Sequence, residues 1–375
     1  MSQMETKKGH KEPLIRIAKR TELPKREITK LRFMALLLSL VAGGLFLLCL
    51  RQNPFVIYGT IISGAFRSKM AIQATVKFMI PLFITSLGLA VAFKMLFWNI
   101  GAEGQIIMGA IAASYFALFH ADWPRPVLLI VMLIAGMIGG GLWGLIPAFF
   151  KTKYNTNETL FTLMLNYIAL YIISYLRDGP WRDPANPGFA KIATFDANAC
   201  LPKVFGVHIG WIIGLIIFVL VSIYMNKTKH GFEISVVGSS HATATYAGMN
   251  VPKIMLRTVF ISGAICGIAG MTQATGSDLT LAAGVAGGVG FTAIIVAWLS
   301  DLNPITIFIV SLLFSVLEKG SSVIQSSYGL STDCSDVLQG IILFFILGCE
   351  FFVRYKFTFR KKEDAVAVTA EGGAN

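Results

Sequence analysis

The chain has 375 residues, 55% hydrophobic and 14% charged, with a mean hydropathy of +0.69. That balance excludes a soluble globular enzyme and fits a polytopic membrane protein. The net charge of +12 does not indicate a nucleic-acid face, because the basic residues gather at chain ends and short loops without interleaved stacking aromatics.

In chain order, residues 1–32 are polar and basic, too long for a signal-peptide leader, and read as an uncleaved cytoplasmic tail. Ten apolar runs follow, at about 33–50, 71–93, 103–120, 126–150, 158–176, 209–225, 257–275, 287–300, 304–318 and 336–353. A spanning helix needs about 20 such residues. The expected fold is therefore all-α, a transmembrane domain over 33–353 with about ten spans. The eighth and ninth runs are short enough to be half-helices or a hairpin. Residues 354–375 form a second tail. Ten spans put both ends on one side. The leader and the predicted inner segments hold 22 of the 32 lysines and arginines, which favours the inside. Arg51, Arg67, Lys69, Arg177 and Arg182 run against that rule.

Between the second and third runs stands Phe97-Trp98-Asn99-Ile100-Gly101-Ala102-Glu103-Gly104-Gln105. A carboxylate and two carboxamides at the edge of lipid need partners or a use. Asn99 is placed to cap the helix that restarts behind the glycines, with Glu103 in its first turns. Two readings stand: a helix–turn–helix joint holding a paired Glu103, with Lys94 as a candidate partner, or a broken segment facing a solute path. Gly136, Gly140 and Gly144, and again Gly263 and Gly267, form small-residue ladders for tight helix packing. On the fifth run Tyr167, Tyr171 and Tyr175 suit an interfacial belt, while Asn166 lies deep enough to face protein or a cavity. Gly101–Ala113 and Gly287–Ala297 are both glycine-led starts of apolar helices, a possible pair of internal repeats.

Two loops stand out. The outer loop 177–208 carries four prolines and mixed Asp and Arg around Trp181, which suits ordered turns and a docking surface. The inner segment 231–253 holds a short Ala-rich stretch that Ser239 or Ser240 can cap, Gly248 end and Pro252 stop. A small helix there makes sense as a knob for a partner's cleft. The five cysteines and five histidines lack metal-ligand spacing. No P-loop, nucleophile elbow or zinc-protease motif occurs, and acidic residues within the spans are too few for a proton relay. No catalytic residue, metal or bound cofactor is expected. A stand-alone ion-coupled carrier and a membrane-embedded transferase remain the rival classes.

Four segments carry a resemblance: Phe97–Ala110 (FWNIGAEGQIIMGA), Asn157–Tyr167 (NETLFTLMLNY) running on to Gly179–Pro184, Gly238–Pro252 with Ser262-Gly263-Ala264, and Gly287–Ala297 (GGVGFTAIIVA) ending in Asn303-Pro304. In this order, over about residues 70–355, the chain resembles the permease subunits of bacterial ABC importers for nucleosides and simple sugars. Those belong to the larger group that includes branched-chain amino-acid permeases. The form of Asn99–Gln105 looks more like the nucleoside branch than the ribose branch. The resemblance implies a plasma-membrane permease paired with a second permease subunit, a cytoplasmic ATPase that uses the ATP, an extracytoplasmic solute-binding protein, and no nucleic acid. It also implies that Gly238, Ser239, Ala244, Tyr246 and Gly248 belong to the segment seated on the ATPase. Asn99, Glu103, Gln105, Asn166 and Phe291 are then the candidates for the solute path, since carboxamides bond ribose hydroxyls and base edges while an aromatic stacks.

Overall fold

The computed structural model describes residues 15–19, 24–185, 188, 190–329 and 333–359. Strand β1 (Ile15–Lys19) comes first, followed by helices α1 (Lys25–Cys49), α2 (Pro54–Phe66), α3 (Lys69–Phe93), α4 (Ala102–Phe119), α5 (Arg125–Tyr154) and α6 (Glu158–Asp178). A hairpin of β2 (Lys203–Val204) and β3 (Val207–His208) leads to α7 (Gly210–Lys227), α8 (Lys229–Ser239), α9 (His241–Tyr246) and α10 (Val251–Thr272). A π-helical turn, Gln273–Asp278, extends α10, and α11 (Val289–Leu299), α12 (Pro304–Tyr328), α13 (Asp333–Arg354) and β4 (Tyr355–Phe359) complete the order. Among the described residues eight helices are long and apolar enough to cross a membrane, and α2 and α11 are shorter apolar helices. The fold is the expected all-α polytopic one.

The chain divides into two compact units, one holding the residues up to Phe55 with those from Asp336 on, the other Val56–Ser335. In the first, β1 pairs antiparallel with β4, Ile15 opposite Phe359 and Lys19 opposite Tyr355. The segments before α1 and after α13 therefore lie side by side. The most N-terminal and C-terminal stretches of the expected tails, 1–14 and 360–375, lie outside the described residues. Helix α1 begins at Lys25, inside the stretch read as a polar tail.

In the second unit α3 and α10 are the central helices, buried over 83% and 78% of their apolar stretches against 28% for α5 and α6. Glycine makes the central packing possible. A Cβ at Gly140 would lie 2.7 Å from the Gly267 Cα, and one at Gly267 would run into the Gly136 carbonyl. Gly109 of α4 meets Gly267 as well, so α4, α5 and α10 touch backbone to backbone. Both ladders read from the sequence thus meet each other. Tyr167, Tyr171 and Tyr175 are 53%, 75% and 70% exposed, as an interfacial row requires.

Of the two short runs, the eighth is the half-helix the sequence allowed and the ninth is not. The eighth run is an 11-residue helix, α11, which rises about 16 Å and cannot span alone. Residues 279–288 before it are non-helical. The ninth run does not stop at 318. It continues to Tyr328, with the Ser322 and Ser326 hydroxyls bonding back to carbonyls one turn earlier in the serine-rich extension. Helix α2 was not expected at all. Its 13 residues are too few for a span, and its start is marked by Pro54 and the Asn53 side chain, which accepts from the Phe55 amide at 3.0 Å. Finally, Pro252 does not stop a helix. It sits in the first turn of α10, behind an Asn250 cap that accepts from the Lys253 amide at 3.1 Å.

Candidate functional site

Four of the five sequence candidates for the solute path come together at the start of α4. Asn99 and Gln105 form a reciprocal carboxamide pair: Asn99 Nδ2 donates to Gln105 Oε1 and Gln105 Nε2 to Asn99 Oδ1, both at 3.1 Å. Asn99 Nδ2 also reaches the Ser262 hydroxyl of α10 at 3.5 Å. Asn99 does not cap α4 in the expected way. Its Oδ1 accepts from the Gly101 amide at 3.1 Å, and Gly101 itself is the residue before the helix. Asn166 bridges α6 to the same joint, accepting from the Gly104 amide and donating Nδ2 to the Ile100 carbonyl, both at 2.9 Å. Thr162, one turn earlier, accepts from the Ile100 amide at 3.2 Å.

The Glu103 carboxylate does something different. One oxygen accepts from the Gly288 amide and the other from the Gly290 amide, each at 2.8 Å. These are the unpaired donors at the N-terminus of α11. Lys94, the partner considered from sequence, is exposed and makes no ion pair with Glu103 among the described residues. The two glycine-led helix starts singled out in the sequence are thus joined by one side chain. The other end of α11 is held by aromatic packing, with Trp298 stacked on Trp98 at 5.0 Å and on Phe93 at 5.5 Å between ring centroids. Asn99, Glu103, Gln105 and Asn166 are all at most 5% exposed, and their polar groups are engaged with protein. Phe291, in the first turn of α11, is 41% exposed. Thr162 and Ser262, both fully buried, complete the node. A threonine one turn before Asn166 was the signal for the first, and the second stood in the sequence only as part of a segment carrying the family resemblance.

At the N-terminal end of α10 lies the expected coupling segment. Ser240, not Ser239, caps α9 by accepting from the Thr243 amide at 3.2 Å. Ser239 is exposed and bonds back to the Ser235 carbonyl at 3.0 Å. Gly248 has φ +75° with open space around it, so it supplies the left-handed turn between α9 and α10. Gly238 is a close-approach glycine, since a Cβ there would run into the Lys94 carbonyl. Ala244 is fully buried, whereas Tyr246 is 96% exposed. Glu233 ties α8 to α10, accepting from Arg257 at 2.9 Å. That guanidinium holds the Glu233 carboxyl below its ordinary range. A cavity of about 450 Å³ opens beside it, lined by Lys229, Phe232, Gly248, Asn250 and Lys253 among others.

On the other face the β2–β3 hairpin is clamped to the bundle. Gln73 Nε2 donates to the Phe205 carbonyl at 2.8 Å, and His208 meets the Ser277 hydroxyl at 3.2 Å. Burial, reinforced by the charges of Lys77 and Lys203, pushes the His208 imidazole down to about 4.

The sequence family described as "Branched-chain amino acid transport system / permease component" matches residues 70–347, from α3 to α13. The chain belongs to that permease family. This permease is 31% identical to the nucleoside ABC transporter permease protein NupB of Lactococcus lactis, over 84% of the chain and 89% of that relative. It is 30% identical to the guanosine ABC transporter permease protein NupP of Bacillus subtilis, over 84% and 91%. A glucose ABC transporter permease of Haloferax volcanii is 29% identical over 91% of the chain and 93% of its own length. The family recognised from four short segments is therefore the right one. The buried node and the coupling segment lie within the matched span.

Proposed function

We propose that this permease is one transmembrane subunit of an ATP-driven importer that carries nucleosides across the plasma membrane. The observation that carries the reading is the similarity, over most of both chains, to permeases named for nucleosides and guanosine. The glucose permease relative keeps a simple sugar as the second reading. ATP hydrolysis belongs to a separate cytoplasmic subunit. The segment 238–248 is its seat on this chain, with the bare Tyr246 ring as the anchor and the neighbouring Lys229, Lys253 and Arg257 as the basic rim. A second permease subunit and an external binding protein complete the assembly. The pairing of β1 with β4 supports placing both chain ends on one side, and the loop charges favour the cytoplasm. Closure of the ATPases would push α9, and α10 would carry the motion to the glycine-packed centre.

The test is uptake of labelled guanosine by cells that express the complete transporter. Uptake should persist when the membrane potential is collapsed and stop when ATP is depleted. The reverse pattern would replace this reading with an ion-coupled carrier.

A further inference from the structure

The four buried candidates at the start of α4 spend their polar groups on one another and on backbone. A different place in the same unit has polar groups left to offer. Helix α3 presents Ala74, Lys77 and Phe78 on one face, and the π-helical turn presents Gln273, Ser277 and Asp278. Together they line a cavity of about 220 Å³. Lys77 and Asp278 both lie in segments apolar enough to span a membrane, where charge is costly and usually serves a function. Gln273 Nε2 donates to Asp278 Oδ1 at 2.9 Å, which orients the carboxylate. No carboxylate pairs with the Lys77 ammonium among the described residues. The backbone is irregular here too. A π turn within an α-helix carries a cost and recurs at functional sites, and this one brings Gln273 and Asp278 together across five residues.

We propose that this cavity is a solute-contact site that takes a sugar ring by its vicinal hydroxyls. The proposal rests on the reading that the chain carries solute. A carboxylate, a carboxamide and an ammonium supply acceptors and donors in the mixture that paired hydroxyls need, since each hydroxyl both donates and accepts. Phe78, 42% exposed, offers an apolar ring face beside them. At about 220 Å³ the cavity is smaller than the roughly 300–1,000 Å³ of a whole ligand pocket. It therefore holds one ring and leaves the rest of the solute in the open path. Ribose of a nucleoside and a free hexose share this chemistry.

The test uses the complete transporter, with labelled guanosine and labelled glucose as separate probes. Asp278→Asn should lower uptake of the carried solute about ten-fold or more, the loss of a hydrogen bond to a charged group, and Gln273→Ala about five-fold, the loss of a neutral one, both at parental abundance and ATPase recovery. In parallel, Ala74→Cys is modified with a thiol reagent on the purified transporter and read by mass spectrometry of its own peptide. The carried solute should slow that modification, and adding Asp278→Asn should abolish the protection. If a carboxylate variant fails to accumulate, Ala74→Cys alone decides, because it leaves Asp278 in place. Guanosine uptake with these losses supports both the site and the nucleoside reading. Glucose uptake alone, with the same losses, supports the site and overturns the nucleoside reading. Parental uptake in both variants, or modification of Ala74→Cys that the carried solute does not slow, overturns the site and leaves the proposed function standing. A parent that takes up neither probe overturns both.

Discussion

Glu103→Gln tests the join between α4 and α11. In the parent both carboxylate oxygens accept backbone amides, Gly288 and Gly290, at 2.8 Å each. A glutamine offers one carbonyl oxygen and one amino group. The oxygen can keep one glycine amide, but the amino group then faces the other, donor against donor. An orphaned buried amide costs about 1–3 kcal/mol, and the lost negative charge at a helix N-terminus adds about 0.3–1 kcal/mol. The expected destabilisation is about 1–4 kcal/mol, with Glu103→Ala worse because it orphans both amides. The assay is thermal denaturation of the purified protein in detergent, followed by size-exclusion chromatography, with membrane abundance measured alongside. Gly290→Ala reaches the same join without replacing the carboxylate. Its Cβ would lie 2.7 Å from the Glu103 Cα and 2.8 Å from Oε2, so the helices must part. A Glu103→Gln protein that melts with the parent would refute the reasoning, and one that melts with the parent but shows altered solute affinity would move Glu103 into the solute path.

Gly267→Ala should lower melting temperature and yield, since its methyl group would enter the Gly136 carbonyl and overpacking of this kind costs about 1–3 kcal/mol; parental stability would mean the ladder is not tight. Tyr246→Ala should leave abundance unchanged and reduce co-purification of the ATPase, because the ring is 96% exposed and contributes little to the fold; full ATPase recovery would remove it from the interface. Ala244→Asp, in contrast, should reduce abundance, because that methyl group is fully buried. The last concerns pH: His208 is held neutral at about 4 when folded, against about 6.5 unfolded. Between those values the unfolded chain binds more protons than the native one, so stability rises with pH across that window. It is at its full value above about 6.5 and falls by up to about 3 kcal/mol as pH drops to about 4. Melting curves at pH 7.5 and 5 should show about 2 kcal/mol of that loss in the parent and a smaller loss in His208→Gln; equal losses would assign the acid sensitivity elsewhere.

Much of the architecture was legible because hydropathy and glycine spacing are local signals. Gly136, Gly140, Gly263 and Gly267 announced a close helix crossing, and the apolar runs announced where most of the long helices lie. What was not legible depends on partners distant in sequence. Glu103 could be recognised as needing a partner, but Gly288 and Gly290 lie some 185 residues away, and they answer through backbone amides that no sequence pattern displays. The same limit left the reading of 287–300 open between a span and a half-helix. An apolar run looks like a span until its first residues are seen to turn at Gly287 and Gly288, both at positive φ, and to begin a helix gripped by another chain segment.

The node also shows why polar residues in an apolar run are ambiguous as solute contacts. Asn99, Gln105 and Asn166 have the chemistry to bind ribose, and that same chemistry lets them satisfy each other and the irregular backbone at Ile100 and Gly104. Type alone cannot separate the two uses; the count of unspent donors and acceptors can. By that measure the joint at the start of α4 is closed, whereas α3 and the π turn at Gln273–Asp278 keep the Lys77 ammonium, a carboxylate oxygen and a carboxamide oxygen beside a cavity. A carrier must bind its solute and let it go, which a few unspent groups on one wall permit and a fully paired network does not.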